Sequence, residues 1–208
     1  GRPAAQARAD RCDEYLERVV NEHVSGRLKV APEHTADSVL RLMRKPPFAL
    51  YRALAARFEA ICRRAGRDQQ LVPYFISSHP GCGLVDMAEL ACATRQAGLR
   101  LEQVQDFTPT PMTLATAMYC TGLDPHTLRP LQVARTPAAK QDQLRFFFWY
   151  KPENRDWIRA TLARLGRAEL AAGLLGPGPG AGEGRDAAGG SRPARPSGRA
   201  RQVRSGPA

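Results

Sequence analysis

The sequence predicts an α/β fold of parallel strands joined by helical crossovers, followed by an α-helical region and a disordered tail. Three observations predict it. Apolar stripes at helical spacing alternate with short β-prone runs from residue 9 to residue 107. That alternation stops at Pro111, after which only helical patterns recur, and from Leu174 onward Gly, Pro, Ala and Arg displace nearly all large apolar side chains. Strands separated by helices pair in parallel, with right-handed crossovers. The first part is therefore half of a barrel or an open sheet.

The elements follow in order. Cys12, Tyr15, Leu16, Val19 and Val20 fall on one stripe of a helix over residues 9–23, and Gly26 stops it. Residues 27–31 alternate as a strand that enters Pro32-Glu33-His34-Thr35. Thr35 is placed to N-cap a short helix through Arg44, which Pro46-Pro47 prevents from continuing. Phe48, Tyr51, Leu54, Phe58, Ile61 and Cys62 mark the next helix, with Gly66 in the position after its end. Residues 70–76 read as a buried strand. A helix over 84–97 carries Met87, Leu90, Ala91 and Thr94 on one face and is closed by Gly98, and residues 101–107 make a third strand. Beyond Pro111, helices are expected over 112–120, 141–150 and 156–165.

Three parts result: 1–120 with the parallel strands, 121–173 as the helical region and 174–208 as the tail, which has too little apolar surface to offset chain entropy. The pattern starts on a helix, and the chain begins with Gly1 rather than Met. The expectation is a polypeptide that continues upstream with a further strand, and the missing half of that polypeptide is the expected partner.

Composition narrows the function classes. No run of eighteen apolar residues and no signal-peptide pattern occurs, so neither a membrane partner nor export is expected and the cytoplasm is the default. Five cysteines without a C-x-x-C pair argue against a disulfide framework. The net charge of +11 raises a nucleic-acid partner. Six arginines, however, stand in the tail against Glu183 and Asp186 alone, and no stacking aromatics are interleaved with them. There is no P-loop, no G-x-G-x-x-G and no G-x-S-x-G elbow.

Parallel sheets bind ligands at the carboxyl ends of their strands. Three such ends are present: Glu33-His34-Thr35, Ser77-Ser78-His79-Pro80-Gly81-Cys82-Gly83 and Asp106-Phe107-Thr108-Pro109-Thr110. Polar, ionisable and glycine residues recur at that one edge. Each also has a structural reading, since Glu33 and His34 can cap the next helix, His79 can bond a neighbouring loop and Gly81 and Gly83 can serve the turn. A metal site from His34, His79 and Cys82 is possible by ligand type, but nothing in the spacing requires it, and no metal ligand is assigned.

The succession Gly26-Arg27-Leu28-Lys29-Val30-Ala31-Pro32-Glu33-His34-Thr35, then Met43-x-Lys45-Pro46, then Pro73-Tyr74-Phe75-Ile76-Ser77-Ser78-His79-Pro80-Gly81, then residues 103–112 with Thr116-Ala117-Met118-Tyr119, resembles the YgiQ-type radical S-adenosylmethionine proteins. The four blocks stand in order across roughly residues 8–172. The resemblance implies a partial TIM-type barrel, of which this chain is the C-terminal part with the family's helical region. It also implies a [4Fe-4S] cluster on a C-x3-C-x2-C loop whose open iron binds S-adenosylmethionine and yields a 5′-deoxyadenosyl radical. This sequence contains no C-x3-C-x2-C. The cluster ligands are therefore expected upstream, and this segment alone is expected to be inactive.

By position, the resemblance places Glu33 near the ribose or methionyl part of the cofactor. Ser77, Ser78 and Gly81 fall at a turn against the adenosyl group and Asp106 near the adenine. His34, His79, Thr108 and Thr110 face the substrate, which stays unknown, and no residue is assigned a catalytic role. Two other readings stand beside this one: a basic module that binds RNA, motivated by the charge, and a non-functional truncated remnant, motivated by the absent half.

Overall fold

The computed structural model describes residues 12–99, 101 and 104–176. Alternation in Arg27–Glu33 turns Leu28 and Val30 inward and leaves Arg27, Lys29 and Ala31 exposed, and this run forms β1. Gln70–Ser77 forms β2, with Pro73, Phe75 and Ser77 buried. The two pair in parallel from Arg27 opposite Gln70 to Val30 opposite Pro73. The register then breaks between Val30 and Glu33, where Pro32 has no N–H to give the ladder. β3 is Gln105–Asp106, parallel to β2, with Ser77 opposite Asp106. The sheet order is β1-β2-β3.

Eight helices among the described residues surround this sheet. The first, α1, covers residues 12–18 and runs into a π-helical turn at Val19–His23. α2 (Asp37–Leu42) and α3 (Phe48–Arg64) cross from β1 to β2, and α4 (Leu84–Gln96) crosses from β2 toward β3. Then come α5 (Leu114–Thr121), α6 (Pro137–Phe147), α7 (Pro152–Arg164) and α8 (Ala168–Leu175).

Two apolar clusters hold these elements. Leu16 and Val20 pack with Phe58, Ile61 and Cys62 of α3. The larger cluster joins Phe75 of β2 to Met87 and Leu90 of α4, Phe146 and Phe147 of α6, Ile158 and Leu162 of α7 and Leu174 of α8. The helical region thus shares its core with the sheet. At roughly 1.5–3 kcal/mol for each large side chain so buried, that core is the main stabilising term.

Several expectations change. α2 is shorter than residues 35–44, and Thr35 does not cap it: the N-cap is Ala36, and the Thr35 hydroxyl is buried without a partner. The third strand is seen only at 105–106 of the expected 101–107, within which residues 102 and 103 lie outside the described set. α6 and α7 start earlier than expected, at Pro137 and Pro152, because proline suits the first helical turn; at α6 Thr136 Oγ1 accepts from the Ala139 N–H.

α8 was not anticipated. It carries helical structure through Leu175, past the expected boundary at 173/174, because Leu170, Ala171, Leu174 and Leu175 recur at helical spacing and bury against α7 and α4. The remainder of the expected tail, 177–208, lies outside the described residues. The described strands form an open sheet, and they do not by themselves close a barrel. No described helix is long and apolar enough to cross a membrane.

Candidate functional site

At the carboxyl edge of the sheet the backbone twice departs from ordinary geometry. Glu33 at the end of β1 has φ 67° and Ser78 just past β2 has φ 62°, both in the left-handed region that a residue with a Cβ enters at a cost. Such strain persists where surrounding contacts impose it. At Glu33 the carboxylate pairs with Lys45 Nζ at 3.3 Å, and that ammonium also donates to the Ala31 carbonyl at 3.0 Å.

At β2 the contacts come from α6. The Ser78 N–H donates to Gln143 Oε1 at 2.7 Å, and Gln143 Nε2 donates to the Cys82 carbonyl at 2.9 Å, so one buried carboxamide closes the loop from 78 to 82. Three residues earlier on the same helix, Lys140 Nζ lies 2.6 Å from Asp106 Oδ2 and donates to the Phe107 carbonyl at 3.2 Å. Positions i and i+3 share a helix face, so both reach the same sheet edge. Ser77 Oγ donates to Asp106 Oδ1 at 3.1 Å, which joins the ends of β2 and β3.

The edge therefore sorts into an inner and an outer layer. Ser77 and Ser78 are fully buried, and the Ser78 hydroxyl has no partner. Gly81 has φ 85°, and a Cβ there would meet the Leu42 side chain, so protein already occupies the face that was expected to approach a cofactor. Asp106 and Glu33 stay partly exposed, at 32% and 22% of their side chains, as do their lysines. Thr108 and Thr110 are exposed on the loop after β3, with the Thr108 hydroxyl on the Asp106 carbonyl at 3.4 Å.

His34 is not at an open face. It is completely buried, its Nδ1 accepts the Ala36 N–H at 2.9 Å, and its Nε2 lies 3.5 Å from Cys82 Sγ. Because Nδ1 accepts, the proton of the neutral ring sits on Nε2 and points at the sulfur. Burial, with the charge of His79 second, lowers its pKa to about 3. The ring holds the N–H of the N-cap residue itself, and no side chain caps α2. His79 is also nearly buried; its Nδ1–H donates to the Pro80 carbonyl at 2.8 Å and its ring stands edge-on to Phe107 at 5.4 Å. Burial lowers its pKa, with the Pro80 carbonyl opposing.

Burial pushes the Cys82 thiol well above its ordinary range, and Asp86 adds to that. A thiol held neutral is a poor metal ligand. Among the described residues no three His, Cys, Asp or Glu side chains come together to hold a metal. Sequence reasoning missed Lys45, Lys140 and Gln143. A signal for two of them existed: the chain's basic residues are almost all arginine, and two of its few lysines, Lys45 and Lys140, hold the acids at the strand ends.

Comparison with known proteins adds relatives but no activity. The chain is 57% identical over 163 residues to a protein named UPF0313 protein from Porphyromonas gingivalis, covering 78% of this chain and 26% of the relative. It is 53% identical over 163 residues to one of the same name from Bacteroides thetaiotaomicron, with the same coverage. A third, from Geobacter sulfurreducens, is 45% identical over 175 residues, 84% of this chain and 29% of the relative. The chain thus spans about a quarter of the length of these relatives. A family model described as a domain of unknown function, DUF3362, matches residues 102–177. No solved structure matches the chain.

Proposed function

We propose that the chain is one segment of a radical S-adenosylmethionine enzyme of the YgiQ type, the family that the relatives' name UPF0313 denotes. The observation that carries this is the Ser77–Asp106 bridge, which ties the ends of two parallel strands and leaves a partly exposed carboxylate on the edge where such sheets bind ligands. The similarity to far longer relatives supports the view that this segment works inside a larger polypeptide.

The residues present fit the two groups of such an enzyme unequally. For an iron-sulfur cluster they do not fit: there is no C-x3-C-x2-C, and the described residues bring no ligand set together. For S-adenosylmethionine the fit lies in the outer layer. Glu33 and Asp106 are reachable carboxylates, able to accept from ribose hydroxyls or an adenine amino group, and the lysine beside each aims it. When bound, that cofactor supplies a carbon-centred radical for abstracting hydrogen.

Ser77, Ser78 and Gly81 act behind that layer. Ser77 orients Asp106 and excludes water beneath it, while Ser78 and Gly81 fix the loop through Gln143 and Leu42. Thr108 and Thr110 remain the substrate-facing positions, on an exposed loop.

The test uses the longer polypeptide that carries this segment, reconstituted without oxygen from iron, sulfide and reductant. Cluster absorption together with 5′-deoxyadenosine formation is the expected result. Absence of both overturns the proposal. The segment by itself is expected to show neither.

A further inference from the structure

We propose that the cavity between α2, α5 and residues 124–126 binds a phosphate monoester of nucleotide size, held by Arg41 and Arg44. The cavity has a volume of about 470 Å³, within the roughly 300–1,000 Å³ of small-molecule sites. Its lining divides by chemistry. Leu42, Leu114, Met118 and Pro125 are apolar, whereas α2 and the second residue past its end contribute two arginines. Among the described residues neither arginine pairs with a carboxylate. Asp124, the acid in the lining, is already engaged by the backbone N–H groups of His126 at 2.8 Å and Thr127 at 3.4 Å. A planar guanidinium matches phosphate oxygens in pairs, and two of them match a dianion.

The backbone at Arg44 explains why a long cationic side chain matters there. The Lys45 N–H bonds to the Leu40 carbonyl at 2.9 Å and the Arg44 N–H to the Arg41 carbonyl at 3.0 Å, the two bonds of a Schellman ending. That ending places Arg44 at φ 57°. Elsewhere in the chain the positive-φ residue after a helix is glycine: Gly66, Gly98, Gly122, Gly166 and Gly176 follow α3, α4, α5, α7 and α8. Among the described helices only α2 ends this way on a residue with a Cβ, and that residue lines the cavity.

Two more left-handed residues are near lining residues in sequence. Met112 (φ 65°) and Leu128 (φ 55°) lie two residues from the lining residues Leu114 and His126, and their apolar side chains are 105% and 71% exposed. Of the five non-glycine positive-φ residues among the described residues, Arg44 is the one that lines this cavity, and retained strain of this kind accompanies functional positions. The apolar lining of Leu42, Leu114, Met118 and Pro125 calls for an organic body beside the phosphate rather than for bare phosphate.

Glycine at position 44 separates folding from binding, because it relieves the strain while removing the guanidinium. The experiment titrates uridine 5′-monophosphate into the 208-residue chain by calorimetry, with uridine and inorganic phosphate as separate arms, and repeats it with Arg44→Gly and Arg41→Gln. Uridine 5′-monophosphate is expected to bind at least tenfold more tightly than either uridine or inorganic phosphate. Arg44→Gly is expected to weaken it at least tenfold while raising Tm. Three results overturn the proposal: no binding of the nucleotide, nucleotide binding no tighter than that of uridine or phosphate, or an Arg44→Gly variant that keeps its affinity or melts lower. The inference is independent of the radical chemistry. Binding of S-adenosylmethionine to the longer polypeptide, assigned to Glu33 and Asp106, is expected to survive Arg44→Gly, so failure of one proposal is distinguishable from failure of the other.

Discussion

Gln143 on α6 accepts from the Ser78 N–H at 2.7 Å and donates to the Cys82 carbonyl at 2.9 Å, so a single amide of the helical region closes the loop at the end of the central strand. Both partners are backbone groups of buried residues. Gln143→Ala leaves them unpaired and is expected to destabilise the chain by about 2–6 kcal/mol, the sum of two buried unsatisfied groups. Urea melts check this through a lower midpoint at unchanged slope. Gln143→Glu keeps the acceptor but loses the donor, and is expected to fall between the two.

Acid should unfold this protein through its histidines. The unfolded His34 takes up a proton near its ordinary pKa of 6.5, whereas the folded ring does so only near 3. Between those values the unfolded state binds more protons, so stability rises with pH across that window and is lost as pH falls. The full loss on reaching the lower end is about 4–5 kcal/mol, and His79 contributes in the same direction. Melting curves from pH 7 to about pH 3 measure it. His34→Asn keeps an acceptor for the Ala36 N–H and is expected to flatten the acid limb.

How far all this was legible in the sequence depends on whether a signal was local. β1, β2, α3 and α4 follow from apolar periodicity, and Gly66 and Gly98 mark their stops. The three polar strand ends were visible too, because parallel pairing brings them to one edge. What stayed hidden was which of their groups face inward. His34 and Ser77 look like site residues in a string of letters, and only the packing of α6 and α2 on the sheet shows them buried. Gln143 and Lys140 act across more than thirty residues of sequence, and no local pattern announces such a contact. α8 was overlooked for another reason: its short apolar stripe runs directly into Gly176 and the biased tail, and composition drowned the periodicity.

Thiol reactivity should separate the five cysteines. Cys12 and Cys120 are exposed, whereas Cys82 is enclosed beside His34 with its thiol kept neutral by burial. The thiolate is the reacting form. A colorimetric disulfide reagent is expected to titrate Cys12 and Cys120 within minutes and Cys82 only on unfolding. Rapid native modification of Cys82 contradicts the enclosed pair.

Leu174 tests whether α8 belongs to the fold. Its side chain is fully buried in the cluster that holds Phe146, Ile158 and Leu162. Leu174→Ala is expected to cost about 2–5 kcal/mol, as large-to-small changes in packed cores do. A change under 0.5 kcal/mol in urea melts is the outcome to expect only if α8 packs loosely, as on a surface.

Asp106 carries the proposed cofactor contact, and its surroundings let binding be separated from folding. The carboxylate is about one-third exposed and pairs with Lys140, and a pair so screened contributes at most about 1 kcal/mol to stability. Asp106→Asn keeps an acceptor for Ser77 but loses the charge that draws Lys140. Stability should therefore drop little. Affinity for S-adenosylmethionine in the longer polypeptide should fall at least tenfold, since a charged acceptor donates roughly 1.5–3 kcal/mol to a hydrogen bond that a neutral amide does not restore. Lys140→Met is the companion variant, because it leaves the carboxylate in place but unpaired, and it is expected to weaken binding less. Equilibrium dialysis with the labelled cofactor reads both. Equal affinity in wild type and Asp106→Asn removes Asp106 from the cofactor site and leaves it the task of joining β2, β3 and α6.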